Sequence, residues 1–125
     1  MRMALGVDVV NIERIRTLSA GVKTRLFHPA ELALAATMTE EVATEYLAGR
    51  FASKEALGKA LGCGLAALEP ATLLVDRKAD GSPTFVLGDA HRAHVAGREI
   101  LLSISHDSPV AVATVLLYGG SDGTQ

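Results

Sequence analysis

A chain of 125 residues has room for one compact domain with one core. Hydrophobic residues at 49% with 21% charged exclude intrinsic disorder, and the single cysteine, Cys63, excludes an internal disulfide. A net charge of −2, 4% aromatic residues and no basic groove-binding motif argue against nucleic acid as a partner.

The chain opens with Met3 to Val10, an apolar run broken by Asp8 and lacking a cleavage-type tail. It reads as neither a signal peptide nor a membrane span, so a cytoplasmic location is expected. Leu5, Val7 and Val9 alternate with Gly6, Asp8 and Val10, which predicts a first strand whose second face carries a carboxylate. Asn11 is placed to cap a helix from Ile12 to about Ala20, stopped by Gly21. Pro29 opens a second helix through Ala36, and Thr39 caps a long third helix to about Leu61, ended by Gly62 and Gly64. Thr72 to Arg77 and Thr84 to Leu87 read as strands around the turn Asp80-Gly81-Ser82-Pro83. A short helix follows over Asp89 to Ala96. Glu99 to Ser105 and Val110 to Tyr118 form a closing hairpin around His106, Asp107, Ser108 and Pro109. The Gly-rich end from Gly119 to Gln125 has nothing to bury and is expected to be disordered.

Charge is unevenly distributed. Residues 1–30 hold five cations (Arg2, Arg14, Arg16, Lys23, Arg25) against Asp8 and Glu13, a local charge of +3, which leaves −5 for the remainder. A solvated helix face and a docking patch for an acidic partner are the two readings of such a cluster.

Two carboxylates stand among apolar neighbours. On the long helix Leu47, Ala48, Phe51, Glu55 and Gly58 share one stripe, so Glu55 falls in line with core-facing residues. A carboxylate there needs a partner: Lys59 one turn along, a distant arginine, or a metal. Asp8 interrupts an apolar strand and either points to water from a sheet edge or faces the same helix. In the second case Asp8 and Glu55 offer oxygen ligands to one hard cation, and few ligands with open water positions favour Mg²⁺ bridged to a phosphate. Arg50, Lys54 and Lys59 then supply positive charge for phosphates. The Gly62-Cys63-Gly64 segment serves as a helix stop and also permits close approach of a ligand. Ser103 and Ser105 lack a nucleophile-elbow pattern, and adjacent His106 and Asp107 are poor candidates for a catalytic dyad.

Gly6-Val7-Asp8, then Arg50-Phe51-Ala52-Ser53-Lys54-Glu55-Ala56 with Lys59 and Ala60, resembles the two-part signature of phosphopantetheinyl transferases. The short chain and the late Ser103-Ile104-Ser105-His106-Asp107 segment resemble the holo-[acyl-carrier-protein] synthase branch. The resemblance implies an α+β fold over residues 1–118, with an antiparallel sheet packed against one long helix and shorter helices. It implies Mg²⁺-dependent transfer of 4'-phosphopantetheine from coenzyme A to a serine of an acyl carrier protein, in support of fatty acid biosynthesis, with release of adenosine 3',5'-bisphosphate. Asp8 and Glu55 match the magnesium ligands and, with Lys59, the catalytic set. Arg50, Lys54, Lys59, Gly62, Gly64, Pro83, His106 and Asp107 match coenzyme A contacts, although Cys63 stands where threonine is common. Arg14, and with it Arg25, matches carrier-protein docking. The proton acceptor is left open between Glu55, through a water, and Glu31. The resemblance further implies a homotrimer whose sites lie between subunits, Asp8, Glu55 and Lys59 facing Arg50, His106 and Asp107 of a neighbour. A non-catalytic coenzyme A or nucleotide-binding module is the alternative of another class, and a magnesium-dependent phosphohydrolase is a third reading.

Overall fold

A computed structural model describes residues 2–120. The first strand, β1 (Met3–Asn11), passes directly into α1 (Ile12–Arg16), because the Asn11 side chain accepts the Glu13 N–H at 2.9 Å. The helix expected to run to Ala20 is in fact two. Ser19 caps a new one, α2 (Ala20–Leu26), its Oγ accepting the Val22 N–H at 3.2 Å, and Gly21 sits in the first turn instead of stopping the chain. A serine cap satisfies an orphan N–H at a helix start, and here that outweighs glycine's weak local preference to end one. His28 caps α3 (Pro29–Ala35), with Pro29 at the first helical position, and Thr39 caps the 22-residue α4 (Glu40–Leu61). Gly62, at φ 73°, terminates α4 in the left-handed region that favours glycine.

Two 3-10 turns, Leu65–Leu68 and Pro70–Thr72, lead into β2 (Leu74–Arg77), which begins two residues later than expected because Thr72 belongs to the second turn. Then come β3 (Pro83–Val86), α5 (Asp89–Val95), β4 (Glu99–Asp107) and β5 (Val110–Tyr118). His106 and Asp107 are strand residues paired with Ala111 and Val110, not turn residues, so the turn itself is only Ser108 and Pro109. Of the predicted tail, Gly119 donates its N–H to Arg2 O at 3.1 Å, and residues 121–125 lie outside the described residues.

The main sheet is antiparallel in the order β1-β5-β4, and β2 pairs with β3 in a separate hairpin. Helix α4 crosses one face of the main sheet. Its residues Ala48, Ala52, Ala56 and Ala60, spaced by four, form a buried ridge of small side chains, and Ala111, Ala113, Val115 and Leu117 of β5 are buried with them. The closest approach is at Gly6, where an added Cβ would stand 2.0 Å from Ala56 O and 2.8 Å from Ala60 N. Strand periodicity then dictates the rest. Asp8, two residues beyond Gly6, faces the helix, while Leu5, Val7 and Val9 face away from it and are exposed.

Candidate active site

The packing of Gly6 brings Asp8 against the last turns of α4. Lys59 Nζ donates to Asp8 Oδ1 and to the Val7 carbonyl, each at 3.0 Å. Glu55 stands one turn earlier on α4. Partial burial raises its pKa, the Asp8 charge raises it further, and Lys59 opposes both. Two carboxylates, Asp8 and Glu55, with one cation nearby make a donor set suited to a hard divalent ion that keeps water or phosphate in its other positions. Among the described residues no third carboxylate, histidine or cysteine joins them to form a cluster able to hold a metal alone. Mg²⁺ fits this pair chemically.

A second group of residues surrounds a cleft of about 470 Å³ between α4 and the β2–β3 hairpin. Arg50 is only 5% exposed and its guanidinium lies 4.1 Å from the centre of the Tyr46 ring. Burial lowers its pKa, Tyr46 works against that, and the Arg77 charge adds to the lowering. Arg50 Nε is buried with no hydrogen-bond partner in the protein, an orphan donor at the cleft wall. Arg77, Gly81 and Pro83 form the facing wall, and His106, whose Nδ1 lies 3.1 Å from Glu45 Oε2, closes one end. A cleft of about 400 Å³ between α1 and the start of α4 has Glu13, Glu40, Glu41 and Glu45 in its lining against the single cation Arg16, which makes it a poor site for a polyphosphate.

The structure therefore gathers Asp8, Glu55 and Lys59 in one place and Arg50, Pro83 and His106 in another. Arg50 and Lys59 are nine residues apart on α4, which places them about 180° apart around its axis and roughly 13 Å along it. The strands beneath them, β4 and β1, are opposite edges of the sheet. Asp107 is exposed at the end of β4 beside His106. Gly62 and Gly64 lie past the C-terminus of α4, where a Cβ on either would meet nothing within 4 Å, so open space lies beside this backbone. Arg14 and Arg25 are exposed and belong to no ion pair among the described residues, whereas Arg16 is held by Glu13 and Glu40.

Lys54 departs from expectation. Its ammonium is fully buried and donates to Glu31 Oε1 at 2.6 Å, Pro70 O at 2.9 Å and Leu26 O at 3.1 Å. All three N–H groups are used, so none reaches a coenzyme A phosphate. Glu31 is equally committed, accepting also from the N–H groups of His28 and Val75, and it is shut off from any substrate hydroxyl. Sequence reasoning missed Tyr46 and Arg77. Tyr46, four residues before Arg50 and so on the same helix face, was legible from spacing; Arg77 enters only through the tertiary placement of its hairpin.

A family profile described as the 4'-phosphopantetheinyl transferase superfamily matches residues 4–114. The chain belongs to this superfamily. It is 40% identical to a holo-[acyl-carrier-protein] synthase of Clavibacter sepedonicus, over 95% of this chain and 98% of that one. It is 35% identical to the synthase of Treponema pallidum, again over 95% and 98%. Among solved structures, a holo-(acyl-carrier-protein) synthase from Bacillus anthracis in complex with CoA (3',5'-ADP) superimposes with a TM-score of 0.80 at 29% identity, covering 93% of this chain and 97% of that one. The Neisseria meningitidis enzyme gives 0.81 at 27%, covering 93% and 98%. The predicted α+β architecture is that of these transferases. No helix among the described residues is long and apolar enough to cross a membrane.

Proposed function

We propose that this phosphopantetheinyl transferase moves 4'-phosphopantetheine from coenzyme A to a serine of an apo acyl carrier protein, supporting fatty acid biosynthesis in the cytoplasm. The observation that carries the reading is the buried Arg50, its Nε donor without a partner, in a cleft it shares with Arg77, together with a separate carboxylate pair suited to Mg²⁺. The first feature suits the nucleotide end of coenzyme A and the second its pyrophosphate. That the Bacillus anthracis relative is described in complex with CoA supports the assignment.

Asp8 and Glu55 would hold a magnesium ion, which when bound would supply charge neutralisation for the pyrophosphate. The serine oxygen of the carrier protein attacks the β-phosphorus, and the bond to the bridging oxygen breaks to release adenosine 3',5'-bisphosphate. Lys59, its side chain about half exposed, is free to swing from Asp8 onto the departing phosphate and to stabilise its charge. With Glu31 buried, Glu55 acting through a water is left to take up the serine proton. The nucleophile belongs to the partner, so Ser103 and Ser105 need no activation. Exposed Arg14 and Arg25 supply positive charge for an acidic carrier surface.

The opposed placement of the two groups bears on assembly. In one chain they stand on opposite sides of α4, and a cyclic homotrimer would set the β1 edge of one subunit beside the cleft of the next. The outer sheet face, with Leu5 66% and Val9 59% exposed, is an apolar surface for that contact. The deciding experiment is mass spectrometry of an apo carrier protein incubated with the enzyme, coenzyme A and Mg²⁺. One added phosphopantetheine per carrier is expected. An unmodified carrier with coenzyme A bound identifies a binding module, and cleavage of coenzyme A without carrier identifies a hydrolase.

A further inference from the structure

The buried pair Lys54–Glu31 lies outside both groups of residues assigned above, yet it connects the two walls of the nucleotide cleft. One wall is α4, through Tyr46, Gly49 and Arg50; the other is the β2–β3 hairpin, through Arg77, Gly81 and Pro83. Lys54 stands one helical turn beyond Arg50. From it the chain of bonds runs to Glu31 Oε1 at 2.6 Å, and from Glu31 Oε2 to the backbone N–H of Val75 at 2.9 Å. Val75 is two residues before Arg77 in the same strand. Arg77 in turn donates from Nη1 to Gly81 O at 3.3 Å, so its guanidinium moves with the hairpin. The hairpin shares no ladder with the main sheet, and among the described residues the Glu31–Val75 bond ties it to the rest of the fold.

Full burial of two opposite charges is a costly way to stabilise a fold, since apolar residues of similar volume often serve as well or better. What an apolar pair cannot supply is a fixed distance and direction to a backbone N–H. We propose that Lys54 and Glu31 are positioning residues for the transfer reaction: they set the spacing across the cleft, so that Arg77 and Pro83 meet a nucleotide held by Arg50. This rests on coenzyme A occupying the cleft, as proposed above.

The test compares wild-type protein with a Lys54→Met/Glu31→Gln double variant and with Glu31→Asp, which keeps the charge but withdraws the carboxylate from Val75 by one methylene. Three quantities are read: Tm, KM for coenzyme A and for carrier protein, and the calorimetric Kd for adenosine 3',5'-bisphosphate. The double variant, which strips the Leu26 and Pro70 carbonyls of their donor, is expected to fold but to melt below wild type, with KM for coenzyme A and nucleotide Kd raised about fivefold or more and KM for carrier changed less than about twofold, because a small misplacement of a binding wall is felt in affinity. Glu31→Asp should show the same split at smaller size, and it decides the matter if the double variant does not fold. Folded variants with wild-type nucleotide Kd and KM for coenzyme A would reduce the pair to a structural role and overturn the proposal. So would equal losses toward both substrates. The Kd measurement needs no turnover, so a wild-type protein unable to transfer would defeat the activity reading separately.

Discussion

Asp8 and Glu55 show how far single residues can be read. Each is conspicuous in the sequence as a charge among apolar neighbours, and the structure places them within each other's electrostatic reach. What the sequence hides is which face of β1 the carboxylate uses. Leu5, Val7 and Val9 carry the apolar pattern that ordinarily marks the buried side, yet in this chain they are the exposed ones. Asp8→Asn and Glu55→Gln should each reduce transfer by about a hundredfold or more while preserving the fold, since one charged oxygen ligand is lost without change of shape. Initial rates over a Mg²⁺ titration check this, and a near-wild-type rate at limiting Mg²⁺ would remove the residue from the metal site. Stability gives an independent reading. A carboxyl whose pKa is raised on folding is favourable to the fold in its protonated form, so its contribution is complete below the ordinary glutamate range and is lost as pH rises through the raised value. Without metal, Glu55→Gln should therefore melt higher than wild type at neutral pH, and thermal melts in more acidic buffer should show the gap closing.

At the scale of elements, caps and stops were the most legible features. Thr39, Gly62 and Pro29 stand where their local chemistry puts them, because capping depends on a few adjacent residues. The break between α1 and α2 was missed because two local signals compete there, and the Lys54–Glu31 pair because its partners are 23 residues apart. Gly6 lies between these cases. It is visible as part of a motif, but its reason is tertiary: strand and helix backbones touch. Gly6→Ala would drive a methyl into the Ala56 carbonyl, which no rotamer change relieves. We expect a loss of roughly 3 kcal/mol or more, read from denaturant unfolding. The strand must also withdraw from the helix, so Asp8 and Glu55 separate and transfer falls with stability. A tolerated alanine with an unchanged melt would show that the contact is looser than described.

For the whole molecule, the test is subunit complementation. Asp8→Ala protein and an Arg50→Ala/His106→Ala variant should each be inactive alone. Mixed and allowed to exchange, they should recover activity, since some junctions then join an intact carboxylate group to an intact cleft. Recovery should follow the fraction of such junctions as the mixing ratio is varied. No recovery after exchange proven by native mass spectrometry would mean that each chain completes its own site.

In the proposed trimer, placing the cleft and the carboxylates on opposite sides of α4 would also tie nutrient supply to architecture. A donor molecule gripped at its two ends by different copies of that trimer would act as mortar as well as feedstock, adding its binding energy to the cohesion of the ring. Scarcity of the donor would then loosen the ring itself, and a dilute, starved pool of enzyme would drift toward separate and idle subunits.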